Sequence, residues 1–339
     1  MKSIKKKNRV YVIGEAGCNH NGKIENAFKL VDIAKKSDLD AVKFQVFNPE
    51  LLVTKYARKA HYALKNTKKK ETQFLMQKKI SLSYEDHFKI KKYCERKKIN
   101  YISSAFDHES IDFLRKINLK TFKIPSGEIN NIPYLKKISK LKVKVIMSTG
   151  MASLEEIKNA LKIFTNIRKK KNLSLLHCVS AYPTDPNNIN LKSISYLKKK
   201  TNCKVGLSDH TISTIMPSLA VVAGAEIIEK HFTYDKKLRG PDHFMSLNEN
   251  ELKEMVKNLR IAETALGKFG KFISKFEKQN IIYARKSIYA FKDILKGDVF
   301  SEKNIIVKRP AIGIEPKFFY KIIGKKAKKN YKEDEKIMI

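Results

Sequence analysis

The segment Val10-Tyr-Val-Ile-Gly-Glu15, then Ile24-Glu-Asn-Ala-Phe-Lys-Leu-Val-Asp-Ile-Ala-Lys-Lys36, then Ala41-Val-Lys-Phe-Gln-Val46 reads as strand, helix, strand. Two β-branched runs flank a stretch whose apolar residues recur at helical spacing, the pattern of parallel strands joined by a crossover helix. It recurs along the chain. Strands are predicted at Val10–Glu15, Ala41–Val46, Asn100–Ala105, Thr121–Pro125, Val143–Ser148, Ser174–Val179, Cys203–Leu207 and Glu226–Lys230, with helices including Ile24–Lys36, Ser83–Lys97, Ser153–Lys169 and Asn250–Leu266. Ser153-Leu-Glu-Glu156 has the spacing of a capping box and fixes one helix start. Eight units over roughly 260 residues, with no Gly-rich nucleotide turn after any strand, predict an α/β fold of the (β/α)8 TIM-barrel type and not a doubly wound sheet. The interval Phe47–Ser81 is too long for an ordinary βα loop and is predicted to be an excursion covering part of the barrel mouth.

After Leu266 the texture changes, through Gly267-Lys-Phe-Gly270, to a tail with turn signals at Lys296-Gly297-Asp298, at Arg309-Pro310 and around Gly313. The predicted organisation is a barrel over 1–266, a linker over 267–283 and a small all-β-rich domain over 284–339. A module of that size is near the lower limit for independent folding, so it is expected to lean on a barrel surface, its own or a partner's.

The whole chain has 339 residues, 42% of them hydrophobic and 31% charged, which excludes a collagenous or low-complexity protein and argues against global disorder. No apolar run approaches the roughly 20 residues of a membrane helix, and the run after Arg9 is too short for a signal peptide, so a cytoplasmic protein with no membrane association is expected. Cys18, Cys94, Cys178 and Cys203 are far apart and form no Cys-x-x-Cys pair, which predicts reduced thiols. The 71 Lys and Arg against 34 Asp and Glu give a formal charge of +37, which raises the possibility of nucleic acid as a partner. The distribution argues otherwise: only nine are Arg, and the Lys residues lie in short scattered runs such as Lys5–Lys7, Lys68–Lys70, Lys169–Lys171 and Lys198–Lys200. No nucleic-acid partner is therefore expected, although a positive field still raises the encounter rate with small anions.

Catalytic side chains of TIM barrels come from the C-terminal strand ends and the loops after them. Here those ends are polar throughout: Glu15 and Cys18-Asn-His-Asn21, Lys43 and Gln45, Ser103-Ser104, Ser126-Gly-Glu128, Thr149-Gly150, Ser180-Ala-Tyr182, Ser208-Asp-His210 and Glu229-Lys-His231. Lys43 and Gln45 are two apart, so both point to the side opposite Val42, Phe44 and Val46, an arrangement suited to an anion and a polar ligand. The alternative for an inward Lys is an ion pair with an inward Glu; the agreement of eight strand ends favours the ligand. His210 and His231 end adjacent strands, and two His ligands suit an octahedral divalent ion with open positions better than a closed zinc site. His61, His87, His108 and His243 are read as structural, and His20 and His177 as more structural than functional.

These residues carry a resemblance. Gly14-Glu-Ala-Gly-Cys-Asn-His-Asn-Gly22, Ala41-Val-Lys-Phe-Gln45, Lys123-Ile-Pro-Ser-Gly-Glu128, Ser148-Thr-Gly-Met151, His177-Cys-Val-Ser-Ala-Tyr-Pro-Thr184, Gly206-Leu-Ser-Asp-His-Thr211, Glu229-Lys-His-Phe-Thr233 and Gly240-Pro-Asp-His243 resemble, in order, the motifs of the sialic acid synthases. The tail, with Ala284-Arg-Lys-Ser-Ile288, Asp293-Ile-Leu-Lys-Gly297 and Val307-Lys-Arg-Pro310, resembles that family's antifreeze-like SAF (β-clip) domain. The resemblance implies condensation of phosphoenolpyruvate with the open-chain aldehyde of an N-acyl mannosamine-type sugar, giving phosphate and a nonulosonic acid of the N-acetylneuraminate or legionaminate type. It implies a divalent metal ion, Mn2+ first, with Mg2+ or Co2+ as alternatives, held by His210 and His231. Lys43, Ser104, Lys123, Ser126, Ser180 and Ser208 would bind phosphoenolpyruvate; Gln45, Tyr182, Asp242 and Arg309 would contact the sugar. Glu128 would be the general base and Glu15 would position the sugar and handle a proton. It implies too a domain-swapped homodimer in which Arg309 reaches a neighbour's site. The enzymatic rival is a barrel condensing phosphoenolpyruvate with a phosphorylated sugar, against which the tail argues. Asp38 replaces a frequent Gly at a helix end, a place for left-handed backbone, and Ala311 a common Gly after Arg309-Pro310.

Overall fold

The computed structural model describes residues 9–67, 70–169 and 171–338. The Lys5–Lys7 run, and parts of the Lys68–Lys70 and Lys169–Lys171 runs, lie outside the described residues. The chain packs as two compact units, Met1–Gly267 and Lys268–Ile339.

In the first unit eight parallel strands close into a barrel in chain order: β1 (Tyr11–Gly17), β2 (Ala41–Val46), β3 (Asn100–Ala105), β4 (Thr121–Ile124), β5 (Lys144–Ser148), β6 (Leu173–Cys178), β7 (Lys204–Asp209) and β8 (Ile227–His231). This is the TIM barrel expected, with strand bounds moved by one or two residues. Because side chains alternate along a strand, the barrel has two cores. Outward residues such as Val12, Phe44, Phe122, Leu175 and Ile228 pack against the helices. Inward residues Ile13, Ala41, Ile102, Ile146, Leu176 and Ile227 form a separate apolar layer inside the barrel.

The helix Ile24–Lys36 has the predicted bounds, and Asp38 beyond it adopts φ 57°, the left-handed backbone its position calls for. Ser153 caps Leu154–Ile163, accepting from the Glu156 amide while Glu156 accepts from the Ser153 amide. The expected continuous helix to Lys169 is interrupted at Phe164, which buries its ring, and Thr165 turns its hydroxyl back to the Lys162 carbonyl at 2.6 Å before a short helix Thr165–Lys169. Among its described residues the 47–81 excursion holds three short helices, Pro49–Leu52, His61–Asn66 and Gln73–Ile80. Phe47 and Ile80 at its two ends cluster with Cys18 just beyond β1, which ties the excursion to the C-terminal side of the barrel.

The second unit is the small β-rich module expected. Its regular sheet is one antiparallel pair, β9 (Ser287–Ala290) with β10 (Ile305–Lys308), supplemented by single bridges such as Ile294 to Tyr331 and Val299 to Lys326. The segments between turns are too short to extend ladders, and Phe319–Ile322 is helical. Ile288, Phe300, Ile305, Ile322 and Ile337 make its own small core. Much of the stretch read as linker is the helix Lys275–Ala284, capped by Ser274 and Glu277 and carrying no buried residue. Ala311 is not among the residues with left-handed backbone, so its place imposes no demand for Gly.

Leu176 is wholly buried in the inner layer, so Leu176→Ala is expected to cost about 2–5 kcal/mol in chemical denaturation. Ser153→Ala, which removes only a helix cap, is expected to cost about 1 kcal/mol, and the reverse ranking would contradict the inner layer.

Candidate active site

Two residues beyond each member of the inner apolar layer, toward the C-terminal strand ends, stands a polar side chain on the same face. Ile13 leads to Glu15, Ala41 to Lys43, Ile102 to Ser104, Ile146 to Ser148, Leu176 to Cys178 and Ile227 to Glu229. The register sets Glu15 opposite Lys43, Ser104 opposite Lys123, and Ser208 opposite Glu229. The result is a buried row of alternating charge. Lys43 Nζ lies 3.0 Å from Glu15 and 3.6 Å from Glu229, whose same oxygen lies 3.6 Å from Lys123 Nζ. All four side chains are at most 5% exposed.

The ion pair set aside from the sequence is therefore present at Lys43. Closing the barrel brings both signs into one layer, and an ammonium there stays charged because a carboxylate lies beside it. Burial alone would lower the Lys43 pKa, but Glu15 and Glu229 outweigh it and hold it above the ordinary value. Burial wins at Lys123, which is lowered, and at Glu15, which is raised despite Lys43. Glu229, which burial would raise, is held down by Lys123 and Lys43.

Two glycines mark concave ends of this layer. At Gly150 the amide donates to Ser126 Oγ at 3.0 Å. A Cβ there would stand 2.3 Å from Ser180 Oγ, 2.9 Å from Ser126 Oγ and 3.2 Å from Cys178 Sγ. Two hydroxyls and a thiol thus converge on bare backbone. At Gly17, with φ +51°, a Cβ would meet Glu15 Oε1, Gln45 Nε2 and Asp242 Oδ2 at 3.3, 3.4 and 3.5 Å. Gln45 Nε2 donates to Glu15 at 2.9 Å, and burial, helped by the Glu15 charge, raises the Asp242 pKa to about 7.

The histidine pair lies close to both ends. His210 Nδ1 donates to the Val179 carbonyl at 2.7 Å, which leaves Nε2 as the nitrogen for a metal, the usual division of labour in metal-ligating histidines. The His231 ring is 5.4 Å away, and its buried Nδ1 has no hydrogen-bond partner. Burial first, then the His210 charge, holds His231 well below its ordinary pKa, so it presents the neutral ring that ligation requires. Tyr182 lies 4.3 Å from His210, ring to ring. Among the described residues no group of three or more His, Cys, Asp and Glu is arranged to hold a metal ion. Two neighbouring imidazoles, one with a buried nitrogen that has no hydrogen-bond partner, fit an ion completed by non-protein oxygens.

Other candidates stand apart or are engaged. Ser208 Oγ is spent on Glu229 at 3.0 Å, and Ser104 Oγ lies 3.5 Å from Lys43 Nζ. Glu128, half-buried on the short turn Ser126–Glu128, accepts from Asn131 at 2.6 Å; among the described residues no contact joins it to the charged row. Arg309 is exposed in the second unit, its Nε donating to the Ala284 carbonyl at 2.9 Å. His177 bonds the Ile189 carbonyl, His87 the Tyr101 hydroxyl and His243 the Thr233 hydroxyl, while His20 Nδ1 accepts from the Gly22 amide; all four hold structure. His108 is exposed, and the side chain of His61 is not among those described. Glu229 and Gly150 lie in the polar strand ends and Cys178 in a quoted motif, but the sequence assigns none of them an individual role, although Glu229 sits two before His231 and therefore on its face.

Residues 30–271 match the model of the NeuB family, and residues 285–338 match the SAF domain. The chain belongs to the NeuB family. It is 46% identical over 97% of its length, and 99% of the relative's, to an N,N'-diacetyllegionaminic acid synthase of Campylobacter jejuni. A second synthase of that name, from Legionella pneumophila, is 42% identical over 94% of this chain and 91% of its own. A crystal structure of N-acetylneuraminic acid (sialic acid) synthetase from Leptospira borgpetersenii superposes with TM-score 0.71 at 31% identity, covering 82% of this chain and 94% of that one. No helix among the described residues is long and apolar enough to cross a membrane.

Within this NeuB-family barrel Glu229 touches both lysines. Glu229→Ala is expected to destabilise the fold by about 3–5 kcal/mol in urea titration, because it strands buried positive charge. Ser208→Ala, removing one hydrogen bond, is expected to cost about 0.5–1.5 kcal/mol; equal small losses would contradict the charged row.

Proposed function

We propose that this chain condenses phosphoenolpyruvate with the open-chain aldehyde of an N-acyl mannosamine-type sugar and water, giving phosphate and a nonulosonic acid. The observation that carries the reading is the Gly150 cradle of Ser126, Ser180 and Cys178, the thiol lying 3.8 Å from His210 and within the field of the buried Lys123. Two relatives at 46% and 42% identity named N,N'-diacetyllegionaminic acid synthase support a legionaminate-type product over an N-acetylneuraminate one.

Lys43 and Lys123 counter the charge of phosphoenolpyruvate, Ser104, Ser126 and Ser180 donate to its phosphate and carboxylate oxygens, and Ser208 joins them by exchanging its hydrogen bond to Glu229 for one to the ligand. His210 and His231 hold the divalent ion, Mn2+ in the first instance, which when bound supplies Lewis acidity to the sugar's carbonyl oxygen. Gln45, Tyr182 and Asp242 orient the sugar. C3 of phosphoenolpyruvate bonds to C1 of the sugar, and the former carbonyl oxygen takes a proton, for which Glu15, raised by burial, is placed. Water adds at C2 as Glu128 takes its proton, and the C–O bond to phosphate breaks to leave the keto group. In a domain-swapped homodimer, working in the cytoplasm where phosphoenolpyruvate is made, Arg309 of one copy would read the N-acyl group in the other's barrel.

The test is phosphate release from phosphoenolpyruvate with N-acetylmannosamine, its 2,4-diacetamido-trideoxy analogue and phosphorylated sugars, with Mn2+ or EDTA. The expected result is metal-dependent release with an unphosphorylated N-acyl sugar; release only with a phosphorylated one would contradict the reading. Gly150→Ala is expected to raise the KM for phosphoenolpyruvate by about tenfold or more, since its Cβ fills the cradle, with little change in that for the sugar. Burial holds Glu128 above the ordinary carboxylate range, and a general base works deprotonated. Activity should therefore fall as pH drops through that raised value, and Glu128→Gln should lose about a hundredfold or more in kcat together with that limb.

A further inference from the structure

Tyr62 comes from the helix His61–Asn66 of the excursion between β2 and its long helix, and no role has been given to it above. Its ring lies 4.7 Å from that of Tyr182, which lies 4.3 Å from His210 and stands edge-on to His231 at 6.3 Å. Three rings from three separate parts of the chain thus run in a row from the excursion to the histidine pair. Asp242 and Cys18, at the Gly17 end of the site, are near enough to oppose ionisation of the Tyr62 hydroxyl, which burial already pushes up. The hydroxyl is therefore a neutral donor close to the carboxylate-lined end. Among the described residues no hydrogen bond engages it, although it belongs to a half-buried side chain. The hydroxyl is not among the buried polar atoms left without a partner, so it opens to the solvent that a bound ligand would displace.

We infer that Tyr62 is a specificity-determining residue of this chain, reading the part of the acceptor sugar remote from its reacting carbonyl. The inference deepens the function proposed above and rests on it. The Tyr62–Tyr182 pair offers an aromatic wall for the C–H faces and methyl groups of the sugar, and the Tyr62 hydroxyl donates to a polar substituent such as an acyl oxygen. Such a wall disfavours a sugar hydroxyl pressed against it without a partner and favours an acyl methyl or a deoxy position. The acceptor class it fits is a deoxy sugar carrying a second N-acyl group, in preference to one with free hydroxyls there. The excursion exists in this reading to carry one side chain back over the mouth, a task a short βα loop cannot perform.

The test is steady-state phosphate release by the full-length protein and its Tyr62→Phe and Tyr62→Ala variants, using N-acetylmannosamine and the 2,4-diacetamido-trideoxy sugar. Tyr62→Ala is expected to raise the KM for the diacetamido sugar about tenfold more than that for N-acetylmannosamine, leaving the KM for phosphoenolpyruvate within about twofold. Tyr62→Phe, which keeps the stack, is expected to fold as the parent does and to show an intermediate loss confined to the diacetamido sugar. Equal losses with both sugars, or a change only in the KM for phosphoenolpyruvate, would overturn the inference while leaving the proposed reaction in place. No turnover by the parent protein with either sugar would overturn the reaction and this inference with it.

Discussion

Two carboxylates and two ammonium groups held in a row inside the barrel are the constraint around which this molecule is built. Taking any one of them out of water alone would cost several kcal/mol, and the alternation Glu15, Lys43, Glu229, Lys123 makes the layer tolerable. The row needs four strands in fixed register, which only the closed sheet provides. It needs an apolar floor that keeps water from below, which Ile13, Ile102, Ile146, Leu176 and Ile227 supply. The chemistry above it depends on charge being fixed before the ligand arrives, so little is spent on reorganisation when it does.

The same layer explains how the site divides. On the side of β4 to β6, the charge of Lys123 acts on Cys178, whose thiol meets the Ser126 and Ser180 hydroxyls at Gly150. On the side of β1 and β2, Glu15, Gln45 and Asp242 surround Gly17, a set of acceptors and an amide suited to a polyhydroxylated partner. The histidine pair is in contact with both, through Cys178 3.8 Å from His210 and Asp242 3.9 Å from His231. Two ends of different polarity flanking one histidine pair is the arrangement that the proposed condensation would use.

Much of this was legible in the sequence because the strand period is two. Once Lys43 and Gln45 are placed inward, period two also places Ala41 in the floor and Phe44 against the helices, as found. The same rule applied backward from His231 reaches Glu229, the hub of the row. What the sequence could not convey was pairing across elements. That Lys43 would be shared between two carboxylates depends on three strands at once, and that Tyr62 would stack on Tyr182 depends on the path of the excursion. Helix continuity past Phe164 failed because a buried ring and a Thr hydroxyl returning to the Lys162 carbonyl outweigh propensity. The β-rich tail was legible from its turn signals, whereas its single bridges and the short helix Phe319–Ile322 depend on packing that turn residues do not encode.

The central claim is that phosphoenolpyruvate reacts here as a carbon nucleophile, with water adding at C2 before phosphate leaves. The most direct measurement uses phosphoenolpyruvate labelled with heavy oxygen in the bridge between C2 and phosphorus, turned over with the N-acyl sugar. The account predicts that the label departs in the released phosphate and that the new keto oxygen comes from solvent. Label retained in the keto acid would mean cleavage between phosphorus and oxygen, and would contradict it.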